Sequence, residues 1–174
     1  MKIQFNVTNY RRSFFSLILI SNILLSGCTS YSPSSDMIGL SKSDLIARLG
    51  SPYPIPDFID SATSLDFPRG PMGKHTYRAY FDNHGLAYSF DQLLTEVRFA
   101  DIKSGMTSRE VVRLIGASKD VYKLGRERGY VWSYRYQNYQ CQWFQIEFTN
   151  EDLVRSAGFS LPPECKPRFT AVSH

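Results

Sequence analysis

The sequence predicts an α+β protein built from two tandem units, each with short helices packed on a three-stranded antiparallel sheet. The first ground is a repeat: "GLSKSDLIARLG" (39–50) and "GMTSREVVRLIG" (105–116) carry the same punctuation sixty-six residues apart. Ser41 and Thr107 stand as N-caps, Asp44 and Glu110 as their acidic partners three residues on, and Gly50 and Gly116 as stops. The second ground is order, because each helix is followed by a connector and then by three runs of period-two alternation. The third is size. A unit of roughly 60 residues is marginal alone, whereas two sharing one extended six-stranded sheet would be stable.

Taken in order, Lys2, Arg11 and Arg12 precede the apolar run "SFFSLILISNILL". Its thirteen residues fall short of the roughly 20 that a spanning helix needs, so residues 1–27 read as a secretory signal peptide. Leu25, Ser26, Gly27 and Cys28 resemble the bacterial lipoprotein processing signal in all four positions. Small residues before the cleaved bond suit a narrow peptidase site, and the Cys28 thiol accepts the lipid. The competing readings are an ordinary signal peptide with a chance cysteine, or an uncleaved anchor. Such lipoproteins carry two or three palmitate-type chains, which implies firm attachment at about 0.8 kcal/mol per buried methylene. Thr29 stands where an Asp commonly retains such proteins in the inner membrane, so the expected location is the outer membrane, lipid-anchored and facing the periplasm.

Removing residues 1–27 leaves 17 basic against 16 acidic residues, so the electrostatic motive for nucleic-acid binding disappears. Beyond Cys28 only Cys141 and Cys165 remain, an even pair in an oxidising compartment. A bridge between them would contribute roughly 3 kcal/mol; the alternative is two separate thiols.

Residues 28–36 are a Ser-rich tether whose "TSYSPSSD" reaches at most roughly 25–30 Å. The first unit spans 37–101. Its helix stops at Gly50 with Pro52 beyond, and the connector 51–75 is irregular and holds most of the prolines. That connector is either a polyproline-like docking segment or disordered. Strands are predicted at "TYRAYF", "LAYSF" and "LTEVRFA". The second unit spans 102–161, with a shorter connector "ASKDVYKLGRERG" that suggests a second short helix, then strands at "YVWSYRYQ", "CQWFQIEFT" and "LVRSAGFSL". On this reading the repeat offset shrinks to about 57 at the strands. Residues 162–174 form a C-terminal tail.

A three-residue loop at 150–152 would set the last hairpin so that Glu147 faces Arg155, Phe148 faces Val154 and Ile146 faces Ser156. Phe144, Ile146 and Phe148 then share the core side, with Trp132 and Tyr134. Trp143, Phe159, Leu161 and Cys141 gather on the opposite side. Large aromatics on an open sheet face are common partner anchors, so Trp143, Phe159 and Leu161 are the candidate partner-binding residues. The alternative is that the tail covers them, pinned by Cys141–Cys165.

Gly105, Met106, Thr107, Val111, Leu114 and Gly116, then Trp132 and Tyr134, then Phe148 and Val154, resemble the SmpA/OmlA (BamE) family of small outer-membrane lipoproteins. The likeness covers about 60 residues; in the first unit Leu40, Ser41 and Tyr77 stand for Met106, Thr107 and Trp132. The resemblance implies two helices on a three-stranded antiparallel sheet and a protein partner, with the outer-membrane assembly machinery as one candidate. Family members of that kind have one unit, whereas this chain carries two. A tandem pair is similar to the beta-lactamase inhibitor proteins, which bind an enzyme with a concave sheet.

Enzymatic chemistry is not expected. His75, His84 and His174 have no Cys, Asp or Glu at metal-ligand spacing, and neither CxxC nor HExxH occurs. No catalytic residue, metal or cofactor is assigned. The expected function is a non-enzymatic protein-binding module in envelope biogenesis or maintenance; the alternative is a periplasmic or surface inhibitor of a hydrolase.

Overall fold

Ser41 and Thr107 start the two eight-residue helices by the same device, each side-chain oxygen accepting from the backbone N–H of Asp44 and Glu110 respectively. Glu110 also accepts from the Thr107 N–H at 2.7 Å, which completes a capping box. Gly50 and Gly116 end these helices at φ of 88° and 79°, a region that disfavours residues with a Cβ. The computed structural model describes residues 30–54, 56, 58, 63–125, 129–136 and 138–165. The segment assigned as signal peptide, Cys28, and residues 166–174 of the tail lie outside the described residues.

The elements run α1 (Lys42–Leu49), β1 (Ser64–Arg69), β2 (His75–Phe81), β3 (Ala87–Gln92), α2 (Glu96–Ala100), α3 (Ser108–Ile115), β4 (Asp120–Leu124), β5 (Gly129–Arg135), β6 (Trp143–Thr149) and β7 (Val154–Ser160), with short 3-10 turns at 35–37, 71–73 and 163–165. The strands form two separate antiparallel sheets, β1-β2-β3 and β4-β5-β6-β7. The class is α+β, but the single six-stranded sheet expected from the sequence does not form.

Three elements differ from their sequence reading. "LTEVRFA" ends in helix α2 instead of a strand, because Thr95 caps it and accepts from the Arg98 N–H at 3.4 Å. Val97, which alternation placed on a strand face, is 77% exposed. The missing strand of the first sheet is β1, inside the proline-bearing connector; Pro68 is tolerated because β1 is an edge strand. The third difference is β4, which lies where a short helix was expected and gives the second sheet four strands.

The halves repeat one set of contacts. Ser41 bridges Leu86, and Thr107 bridges Leu153. The Gly39 N–H donates to the Ala87 carbonyl at 2.7 Å and the Gly105 N–H to that of Val154 at 2.8 Å. Both final hairpins carry a bulge at the matching place, between Tyr80 and Phe81 and between Glu147 and Phe148. Matching positions therefore lie 66 residues apart at the caps and 67 at the hairpins, as Leu86 and Leu153 do. The expected contraction to about 57 arose from aligning β2 with β5; the contacts align β2 with β6 and leave β4 unmatched.

The bulge also corrects the last hairpin. Phe148 faces Val154 as the loop predicts, but Glu147 then pairs with Ser156 and Ile146 with Ala157. Arg155 is the extra residue and still forms its ion pair with Glu147. One inserted residue reverses the facing of everything beyond it.

Two cores result. Leu45 and Leu49 of α1 cover Leu65, Phe67, Ala79, Phe81 and Ala87 of the first sheet. Val111 and Ile115 of α3, with Leu94, Phe99 and Ile102, cover Tyr134, Phe144, Ile146, Phe148 and Val154 of the second. The back of the first sheet joins the halves. Arg78 is 5% exposed and clasps Asp66 through Nε at 2.6 Å and Nη2 at 2.8 Å. It also donates to the carbonyls of Arg113 (2.6 Å) and Val112 (3.0 Å), and Arg98 donates to that of Leu114 (3.2 Å). Two arginines of the first half thus satisfy two orphan carbonyls at the end of α3, those of Arg113 and Leu114, and add a second donor to Val112, which already accepts from the Gly116 N–H at 2.9 Å.

The Ser-rich segment is not a free spacer once it reaches Tyr31, whose ring stacks on His75. Among the described residues, no helix is long and apolar enough to cross a membrane.

Candidate functional site

Because α1 and the end of α3 lie against the first sheet, and α3 with α2 against one face of the second, the opposite face of the second sheet is the open one. Register places Asp120, Tyr122, Ser133, Arg135, Trp143, Gln145, Glu147 and Ser160 there. They form a connected surface. The Gln145 amide donates to Ser133 Oγ at 2.9 Å, Ser160 Oγ donates to Gln145 Oε1 at 2.5 Å, and the Trp143 indole N–H donates to Ser160 Oγ. The Arg135 guanidinium lies 5.1 Å from the Trp143 ring centroid and pairs with Asp120 and Glu164. Trp143 is therefore held rigidly, with little rotamer freedom left to lose on binding.

The open end of this face is β4. It is an edge strand, exposed along nearly its whole length, and among the described residues no strand pairs with its outer side. A depression lies on each of its faces. One, of about 320 Å³, includes Tyr122, Arg135, Trp143 and Pro163 in its lining. The other, of about 500 Å³, is lined by Val121, Tyr130, Trp132 and Leu124 among others. Tyr122 is 69% exposed. The Tyr130 hydroxyl donates to Asp152, and burial followed by that carboxylate pushes its phenol well above the usual range. Ser108 donates to the same carboxylate, tying the start of α3 to the last hairpin.

The sequence-assigned residues do not all meet here. Trp143 lies on the open face as described. Phe159 is on the other side: the bulge turns it toward Phe144, and its ring packs on Phe144 (5.3 Å), Tyr136 (5.8 Å) and Phe99 (6.2 Å). Leu161 follows β7, outside any strand, and is half exposed. Cys141 and Cys165 are disulfide-bonded with Cα atoms 6.3 Å apart, which brings the turn at Pro163–Cys165 onto the open face. Replacing both cysteines by serine should lower stability by about 3 kcal/mol in a urea titration, for a closed loop of 24 residues. Tyr122, Arg135 and Val121 escaped the sequence reading; the alternation of "DVYKL" is a strand signal that the expected helix overrode.

His75 and His84 sit apart. His75 lies under Tyr31, where burial and then Lys74 lower its pKa, and His84 is in the β2–β3 turn. Among the described residues, no group of three or more His, Cys, Asp or Glu is placed to hold a metal ion.

No family model and no curated protein matches the chain. Solved structures that it resembles include one described as the osmotically inducible lipoprotein OsmE, at 30% identity over 34% of this chain and 69% of that chain, with a TM-score of 0.31. Another is a DUF4309-family protein, YjgB, from Bacillus subtilis subsp. subtilis str. 168, at 12% identity over 70% of this chain and 78% of that chain, with a TM-score of 0.28.

Proposed function

We propose that this chain is an outer-membrane lipoprotein in which two tandem BamE-like units form a non-enzymatic protein-binding module for envelope biogenesis or maintenance. The lipoprotein part rests on Leu25–Cys28 and on Thr29. Matched caps, bridges and bulges at offsets of 66 and 67 residues support the tandem reading. The observation that carries the binding role is β4, an edge strand with no partner on its outer side among the described residues and an aromatic depression on either face. An extended partner segment added to this edge would send alternate side chains toward Trp143 and toward Trp132. Trp, Tyr and Arg, the residue types that dominate interface energies, supply both sides.

The test is crosslinking in cells followed by mass spectrometry. Trp143→Ala, in the first depression, and Val121→Glu, at the edge that lines both, should each cut partner capture at least about tenfold, since a central anchor contributes about 2 kcal/mol or more. Unchanged capture in both variants would refute this placement. Barrel-assembly components among the crosslinked proteins support an assembly accessory. A hydrolase there, inhibited by soluble protein beginning at Thr29, supports the inhibitor reading instead.

A further inference from the structure

The beginning of the folded unit, at Tyr31, is close in sequence to Cys28. The Tyr31 ring stacks on His75 with centroids 5.2 Å apart, and Ser32 Oγ shares a 2.8 Å hydrogen bond with the Tyr77 hydroxyl. Asp36 then pairs with Arg48 at 2.8 Å, and Met37 packs on the first core. The chain is thus bound from Tyr31 onward. Only Thr29 and Ser30 lie between Tyr31 and Cys28, a reach of roughly 10 Å even when fully extended.

Beside that point lies the loop "GPMGK", residues 70–74. A Cβ on Gly70 would come within 2.9 Å of the His75 ring and 3.4 Å of Tyr31, and one on Gly73 within 2.7 Å of the Tyr53 hydroxyl. The loop is therefore clasped at both ends, and its tip is Met72. Met72 has φ of 55°, which a glycine would adopt without strain, and its apolar side chain is 63% exposed. Lys74 lies two residues from it, while the Arg69 guanidinium donates to the Leu49 carbonyl at 3.3 Å and His75 stacks under Tyr31; residues 67–77 contain no Asp or Glu. A rigid apolar tip with Lys74 beside it, in a loop next to Tyr31 and so to the acylated end, suits a phosphate-bearing lipid surface.

We propose that the loop 70–74 is a membrane-contact site: Met72 enters the headgroup layer and Lys74 meets lipid phosphates, pressing the first sheet's loop end onto the bilayer. This gives the anchored protein a set orientation beyond that imposed by the acyl chains, and it rests on the reading of Cys28 as the acylated residue.

The experiment uses the mature lipidated protein in vesicles of phosphatidylethanolamine and phosphatidylglycerol. A solvent-sensitive fluorophore is placed on Met72→Cys, and in a control on Val97→Cys. Lipids with a nitroxide near the headgroup should quench the label at 72 several-fold more than at 97. Adding Lys74→Glu should remove most of that excess while leaving the melting temperature unchanged. Equal quenching at both sites, in protein whose mass shows acylated Cys28, overturns this proposal alone. A mass without acyl chains overturns the lipoprotein reading and this proposal with it.

Discussion

Arg78→Ala is expected to destabilise the protein by about 3–5 kcal/mol, the cost of removing one partner from a buried ion pair. The loss has two parts. Asp66, whose side chain is 15% exposed, would keep its carboxylate without the bidentate guanidinium. The Arg113 carbonyl would also lose its donor at the end of α3, while that of Val112 would keep only the Gly116 N–H. For a domain of this size the melting midpoint should fall by about 10 °C. Arg78→Lys should rescue only part of this, because an ammonium cannot serve the carboxylate fork and two carbonyls together. Thermal melting of the three proteins decides it; a midpoint within a few degrees of the parent for Arg78→Ala would show that the halves are held together by other contacts.

Phe99→Ala should cost about 3–5 kcal/mol by removing a buried aromatic side chain and leaving a cavity. Phe99 is 3% exposed and stacks on Phe144 with centroids 4.3 Å apart, while Tyr136 meets it edge-on at 5.0 Å. It is the residue through which α2, at the end of the first half, enters the second core. Phe159→Ala touches the same cluster from its rim, where the ring is 47% exposed, and should cost only about 1–2 kcal/mol. It should leave partner crosslinking intact. Urea titrations of both variants, read with their crosslink yields, separate the two faces of the sheet. If Phe159→Ala were stability-neutral and abolished capture, Phe159 would be a docking residue after all.

Both effects depend on elements that local pattern described poorly. "TEVRFA" satisfies period two as readily as one short helical turn, and only the Thr95 cap and the burial of Phe99 distinguish the two. "SLDFPR" carries a proline that argues against a strand, and its place at a sheet edge removes the objection. Arg78 and Asp66 have no sequence signature as a pair, since nothing within β1 or β2 announces that their outer faces will meet the end of a helix 35 residues later. At the candidate site, Trp143 was legible because alternation in "WFQIEF" assigns its face. Phe159 was not, because a bulge inserts one residue and leaves no mark in composition.

By itself the sequence determined the local events: where the two long helices start and stop, the last three strands, and the repeated helix punctuation. Each of these depends on residues within a few positions of one another, so caps, stops and alternation suffice. Tertiary structure alone decided that the sheets stay separate, that Arg78 ties one to the other, and that β4 lies at the edge of the open face. Those outcomes are settled by which surfaces find complementary partners across the chain, and desolvation of distant groups is not encoded in any short window.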